Sequence, residues 1–158
     1  MPSPAEFDSI DRRLLAMLQK DGRRAVKDLA AELSIAPSTC AERMRGLLRR
    51  GVISGIHAQP DLAELGRSEQ ALLGIRVRPH SRELRDGLVQ AMLARAEVLG
   101  VFHVSGNDDL LVHIAVPDTA AMRDFILDRV TSRPEVVAVQ SYLIFQEWRQ
   151  EVIEPLTP

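Results

Sequence analysis

The sequence predicts an α+β chain in two parts: an all-helical first third, then strands and helices in the order β-α-β-β-α-β. Three observations predict it. Apolar residues recur at helical spacing up to about residue 50, and short apolar runs separated by proline and glycine take over beyond residue 69. The charge changes with the pattern. Residues 1–57 carry ten Lys/Arg against seven Asp/Glu, whereas residues 58–158 carry ten against fifteen, within a 158-residue chain of net charge −2. A basic beginning on an acidic remainder suggests that the first part alone meets a polyanion.

The first helix starts at Asp8 or Ser9, either of which can cap it. Asp11 lies in its first turn, where the helix dipole favours an anion. Ile10, Leu14, Leu15 and Leu18 share its inner face, and Asp21-Gly22 stops it. A short second helix runs from Val26 to Leu33, and Ser34-Ile35-Ala36 makes a tight turn. Pro37 then occupies the first position of a third helix, where its missing N–H does no harm. Met44, Leu47 and Leu48 are expected to point inward, and Gly51 ends the helix. Gly46, unfavourable inside a helix, is read as a close helix contact. Residues 52–58 read as a short hairpin turning at Ser54-Gly55.

Residues 59–67 read as a linker, leaving 1–58 as the first domain and 68–158 as the second with a C-terminal tail. In the second, Gln70–Arg78 is a strand with Leu73, Ile75 and Val77 on one face. Ser81 caps a helix bearing Leu84, Leu88 and Met92. Strands follow at Val98–Ser105 and Leu110–Val116 around a turn at residues 106–109. Met122, Phe125, Ile126 and Val130 mark a second helix, and Val136–Phe145 is the last strand. This order is the ferredoxin-like split βαβ unit. Its helices cover one sheet face, yet the last strand is apolar on both: Val137, Val139 and Leu143 on one, Val136, Ala138, Tyr142 and Ile144 on the other. A solvated face alternates with polar residues. A second copy of the chain is therefore expected to cover it.

Two helices joined by a tight turn, the second basic, form a helix-turn-helix, whose second helix enters the DNA major groove. Arg43, Arg45, Arg49 and Arg50 lie along this helix, with Ser38, Thr39 and Glu42 in its first turns. Arginine bonds guanine bidentately, and serine or threonine bonds bases or phosphates. Arg43, Arg45, Ser38 and Thr39 are expected at bases or phosphates, and Arg49 and Arg50 at the phosphate backbone. The competing reading is a solvated face in which the arginines pair with Glu42.

The segments 8–15, 19–23, Ile35-Ala36-Pro37-Ser38-Thr39-Cys40-Ala41-Glu42-Arg43-Met44-Arg45, Gly51-Val52-Ile53 and 103–111 together resemble the Lrp/AsnC, or feast/famine, regulators over nearly the whole chain. The resemblance implies a winged helix-turn-helix and a ferredoxin-like ligand-response domain. It also implies dimers that assemble further, often to octamers, and an amino-acid effector bound where second domains meet. The family's effector pocket is similar to Ser105, Gly106, Asn107, Asp108 and Asp109, with Ser141 nearby. Asn107 and Asp108 depart from the family's Gly-Asp-aromatic-Asp pattern, which bears on the effector's identity. Ala36 stands where a capping serine is usual, and Ser38-Thr39 replaces a common Thr-Pro.

The sequence shows no nucleotide-binding glycine loop and no Ser/His/Asp arrangement, so neither an enzyme nor a cofactor is expected. Cys40 reads as a buried small hydrophobe. His103 and His113 would face opposite ways if Ser105 pairs with Leu110, which argues against zinc. Trp148, Phe145 and Ile153 are expected to pack on a neighbouring subunit. No apolar run reaches membrane-span length, no signal peptide is evident, and the cytoplasm is the expected compartment. An architectural, ligand-independent DNA-bending protein is the alternative reading.

Overall fold

The computed structural model describes residues 7–156. They form two units. One runs to Gln59 and takes in the chain again from Trp148; the other is Pro60–Glu147.

The first unit is built on α1 (Ser9–Lys20), α2 (Val26–Leu33) and α3 (Pro37–Arg49). Asp8 caps α1, its carboxylate accepting the Asp11 N–H at 2.7 Å. Leu14, Leu18, Leu29, Leu33, Cys40 and Leu47 meet in the core. Ser34 takes the left-handed conformation that closes α2 (φ 57°), and the Ile35 N–H bonds back to the Ala30 carbonyl at 3.0 Å. This is the glycine-type helix ending made with serine.

Three expectations for this unit change. Residues 52–58 form no strand pair. Gly51 has φ 70°, and the amides of Val52 and Ile53 return to the Leu47 carbonyl, so they close α3 instead of opening a hairpin. A Cβ on Gly46 would meet nothing within 4 Å, so this glycine marks no close helix contact. Leu48 is 41% exposed and does not point inward, because it lies a full 100° step round the helix from buried Leu47. The segment from Trp148 groups with this unit and not with the sheet. Its anchor is the Gln19 carboxamide, which donates to the Ile153 carbonyl (3.1 Å) and accepts the Ile153 N–H (2.9 Å). Phe145, Trp148 and Ile153 are themselves largely exposed.

The second unit contains β1 (Glu69–Val77), α4 (Arg82–Leu93), β2 (Val98–His103), β3 (Leu110–Val116), α5 (Thr119–Phe125) continuing as a π-helical turn (Ile126–Thr131), and β4 (Val136–Ile144). The sheet is antiparallel in the order β2-β3-β1-β4, as the β-α-β-β-α-β pattern requires. Alternate residues Ala71, Leu73, Ile75 and Val77 of β1 and Leu110, Val112, Ile114 and Val116 of β3 pack with Leu88, Met92, Met122 and Phe125 of the helices. The opposite face carries Leu72, Leu111, His113, Phe102, Tyr142 and Ile144, by the register of the strands.

Two register details correct the sequence reading. Arg76 opposes Ala138 while Val77 opposes Val136, so Val137 is an extra, bulged residue. Val136 therefore packs on the core beside Val139, and Val137 is 55% exposed. On β3, Leu110 pairs with His103 and not with Ser105, and His113 lies opposite Gly100. The two histidines still face opposite ways. His113 Nε2 lies 3.0 Å from Gln70 Oε1. No helix among the described residues is long and apolar enough to cross a membrane.

Candidate nucleic-acid interface and ligand loop

The 3.6-residue period of α3 sorts its polar side chains into two sets. Ser38, Glu42, Arg45 and Arg49 fall within one narrow exposed stripe, opposite the buried Cys40 and Leu47. Thr39, exposed as well, lies beside it in the first turn. Ala36 at the N-cap supplies no side-chain cap, so the first free amides of the helix, from Ser38 onward, lack that partner. Burial pushes the Cys40 thiol upward, which keeps it protonated and inert.

Arg43 and Arg50 belong to the second set, turned toward α1. Arg43 Nη1 donates to Asp8 Oδ2 at 2.6 Å and to Asp11 Oδ1 at 2.8 Å, and Arg50 Nη2 donates to Asp11 Oδ2 at 3.0 Å. Asp11 is buried, with 7% of its surface exposed. A buried carboxylate needs charged partners, and these two arginines supply them. The Asp11 amide and the Arg43 guanidinium hold the Asp8 carboxyl below its ordinary range, and Asp8 followed by Asp11 raises Arg43. The base and phosphate roles expected for Arg43 and Arg50 thus meet a geometry that places both in intramolecular ion pairs. The sequence signal was present in Asp8 and Asp11 themselves, at the start of α1.

On the exposed stripe a different carboxylate does the pairing. Glu42 Oε1 lies 2.8 Å from Arg49 Nη2 and Glu42 Oε2 3.1 Å from Arg45 Nη2. Hydrogen bonding from Arg49 holds the Glu42 carboxyl below its ordinary range. All three side chains are about 60% exposed. The solvated-face reading describes Arg45 and Arg49 in the free protein.

In the second unit, residues 104–109 join β2 to β3. Ser105, Gly106 and Asn107 are exposed at the tip, and the two acids that follow diverge. Asp109 turns toward the end of β1. It accepts the Val77 N–H at 2.8 Å and Arg78 Nη1 at 3.2 Å, and His80 Nδ1 lies 3.5 Å from its other oxygen. Burial works to raise this carboxyl, but the Val77 amide, His80 and Arg78 together hold it low. Asp109 is therefore built into the loop. It also lines a cavity of about 140 Å³ with His80, Ser81, Arg82, Arg85 and His103.

Asp108 lies over Gly74 instead. A Cβ there would overlap its carboxylate, with Cγ only 2.9 Å away, so any side chain at 74 would make the Asp108 carboxylate shift. Gly74 opposes Leu111 on one side and Gln140 on the other, all on the sheet face without helices. Arg76, on the same face, donates from Nε to the Asn107 carbonyl at 3.0 Å. Ser141 is not brought to this place. It opposes Leu73, which points into the helix-covered core, so it faces the other side of the sheet from Asp108. Gln140 and Arg76 are the neighbours that the sequence reading missed. A one-residue difference in strand register separates Gln140 from Ser141, and only the pairing reveals it.

A helix-turn-helix with an arginine-bearing outer stripe, followed by a four-stranded α+β unit, defines a DNA-binding transcription regulator with a ligand-binding domain. The comparisons with known proteins make this specific. Residues 7–48 match the AsnC-type helix-turn-helix domain and residues 70–153 the Lrp/AsnC ligand binding domain. The chain belongs to the Lrp/AsnC family of transcriptional regulators, which are not enzymes.

The HTH-type transcriptional regulator AldR of Mycobacterium tuberculosis is 34% identical over 146 residues, covering 92% of this chain and 82% of AldR. The leucine-responsive regulatory protein of Escherichia coli K12 is 30% identical, over 92% of this chain and 88% of its own length. The crystal structure of the transcriptional regulator NMB0573/L-Met complex from Neisseria meningitidis superposes with a TM-score of 0.85 at 25% identity, covering 92% of this chain and 94% of that one.

Proposed function

We propose that this chain is a sequence-specific regulator whose DNA affinity or assembly state responds to an amino acid or a related small metabolite. DNA is read by the outer stripe of α3. Ser38, Thr39, Arg45 and Arg49 reach bases or phosphates, while Arg43 and Arg50 set the angle at which α3 is presented. The effector is held at the 104–109 loop.

The observation that carries the effector reading is the Asp108 carboxylate lying over Gly74 on the sheet face without helices. A free amino acid needs an acceptor for its ammonium group and donors for its carboxylate. Asp108 is assigned the first role; Gln140, Arg76 and the amides of Gly106 and Asn107 are the nearby donors assigned to the second. The solved relative from N. meningitidis is described as a complex with L-Met, which supports a ligand of this chemistry. Leu72, Phe102, Leu111, Tyr142 and Ile144 make the same face apolar, and Phe102 and Tyr142 are 54% and 49% exposed. A second copy packed on that face removes this surface from water and leaves the effector at the edge of the contact. A ligand then acts through its different affinity for two arrangements of the assembly.

Thermal unfolding in the presence of each amino acid tests the reading. A ligand at about 100 times its dissociation constant adds about 2.7 kcal/mol to the native state. The expected result is a raised Tm with one or a few amino acids, lost in Asp108→Asn. No shift with any amino acid, together with unchanged DNA affinity, would make the protein a ligand-independent, architectural DNA binder. Phe102→Glu is expected to lower the mass seen by light scattering.

A further inference from the structure

The three arginines of α3 and Arg50 at its C-cap are all paired with carboxylates of this chain, but the two pairings differ in kind. Asp11 is buried against α3, so its arginines stay with it. Glu42 is exposed, lies on the DNA-facing stripe, and holds Arg45 and Arg49 at once through its two oxygens. We propose that Glu42 is a specificity-determining residue: an exchangeable counter-ion that keeps Arg45 and Arg49 off arbitrary phosphates and releases them only to a sequence that compensates the loss. This rests on the reading that the outer stripe of α3 faces DNA.

The physical argument is competition for two guanidinium groups. A phosphate approaching Arg45 or Arg49 must displace a carboxylate already at hydrogen-bond distance, and the displaced carboxylate stays on the same helix face, close to the polyanion. Non-specific binding is almost wholly phosphate neutralisation, so it bears this penalty without compensation. A preferred sequence returns it through bidentate arginine-guanine bonds, and a cytosine N4 amino group placed to donate to the freed Glu42 carboxylate returns more. A neutral residue at 42 of the same size removes the penalty everywhere. It raises affinity for arbitrary DNA more than for the preferred site, and so narrows the ratio between them. The hydrogen bonding that holds Glu42 ionised makes it a full charge at any pH at which the protein would meet DNA.

The test is Glu42→Gln in the full chain, with binding measured to a random-sequence duplex and to a sequence selected from a random pool, each over a range of salt. A helix-surface change of this kind leaves the Tm nearly unchanged, which checks the fold. The expected result is tighter binding to the random duplex, on the order of threefold to tenfold per recognition helix, with a steeper salt dependence. The selected-to-random ratio falls. In an Arg45→Ala, Arg49→Ala background the gain is largely abolished, because the effect runs through those two side chains. Unchanged or weaker binding of E42Q to the random duplex overturns the proposal. So does an equal gain in the background without these two arginines, which would be a general net-charge effect. Wild-type protein that binds neither duplex would instead overturn the assignment of this face to DNA, and the proposal with it.

Discussion

The inner and outer faces of α3 use the same chemistry to different ends. On the inner face the Asp11 carboxylate joins Arg43 and Arg50; on the outer face the Glu42 carboxylate joins Arg49 and Arg45. Burial separates them: the Asp11 side chain is 10% exposed and that of Glu42 59%. A buried ion pair is a fixed geometric constraint, because breaking it strands a charge away from water. An exposed pair contributes little to stability and opens where a competing anion compensates its small cost. Arginine count along a recognition helix is therefore a poor guide to its DNA contacts. The partner of each arginine, and how deeply it lies, decides which ones are available.

The sharpest break of this comparison is Asp11→Ala. It leaves Arg43 and Arg50 without their shared carboxylate and is expected to destabilise the first unit by about 2 kcal/mol. That is less than the 3–5 typical of a fully buried pair, because both arginines also reach solvent. Urea unfolding reads it, and a loss under about 0.5 kcal/mol would place Asp11 with ordinary surface residues.

The converse change, Arg45→Ala with Arg49→Ala, is expected to leave stability within about 0.5 kcal/mol while lowering DNA affinity tenfold or more at moderate salt. Filter binding and a melting curve on the same preparation would separate the two effects. Smaller still is Gly46→Ala. The added methyl meets no neighbour, so the helix gains up to about 1 kcal/mol and the Tm rises.

The smallest effect is on acid stability and comes from Asp8. Its carboxyl is held low in the native state, chiefly by the Asp11 amide and then by Arg43. Its contribution is therefore complete above the ordinary aspartate value of about 3.9 and is lost as pH falls through the lowered native one. Asp8→Asn should flatten the acid limb of the stability curve below about pH 4.

The helices were legible in the sequence because apolar spacing, Asp8 at a cap, Pro37 at a first turn and Gly51 at an end all agree. The sheet order followed from the alternation of strands and helices. What the sequence concealed depends on contacts between distant residues. The Val137 bulge moves Val136 from one face to the other, and β-pairing alone reports it. The same kind of register information sets Gln140, and not Ser141, opposite Gly74, over which the Asp108 carboxylate lies. The hairpin expected at 52–58 failed because two of its amides close α3, a bond pattern that turn-forming residues do not distinguish from a β-turn. The return of the tail to α1 depends on one glutamine, Gln19, with no periodic signal around it.

The division of the four arginines into an inner and an outer pair is what the salt dependence of DNA binding tests most directly. Each neutralised phosphate contributes about 0.9 to the slope of log K against log salt. Removing Arg45 and Arg49 should flatten the slope by about one for every phosphate these side chains neutralise on each helix. Arg43→Ala and Arg50→Ala should weaken binding, and lower stability, at an unchanged slope. The reverse pattern, a slope that falls with Arg43 and Arg50 and holds without Arg45 and Arg49, would contradict the assignment of the inner pair to α1 and the outer pair to DNA.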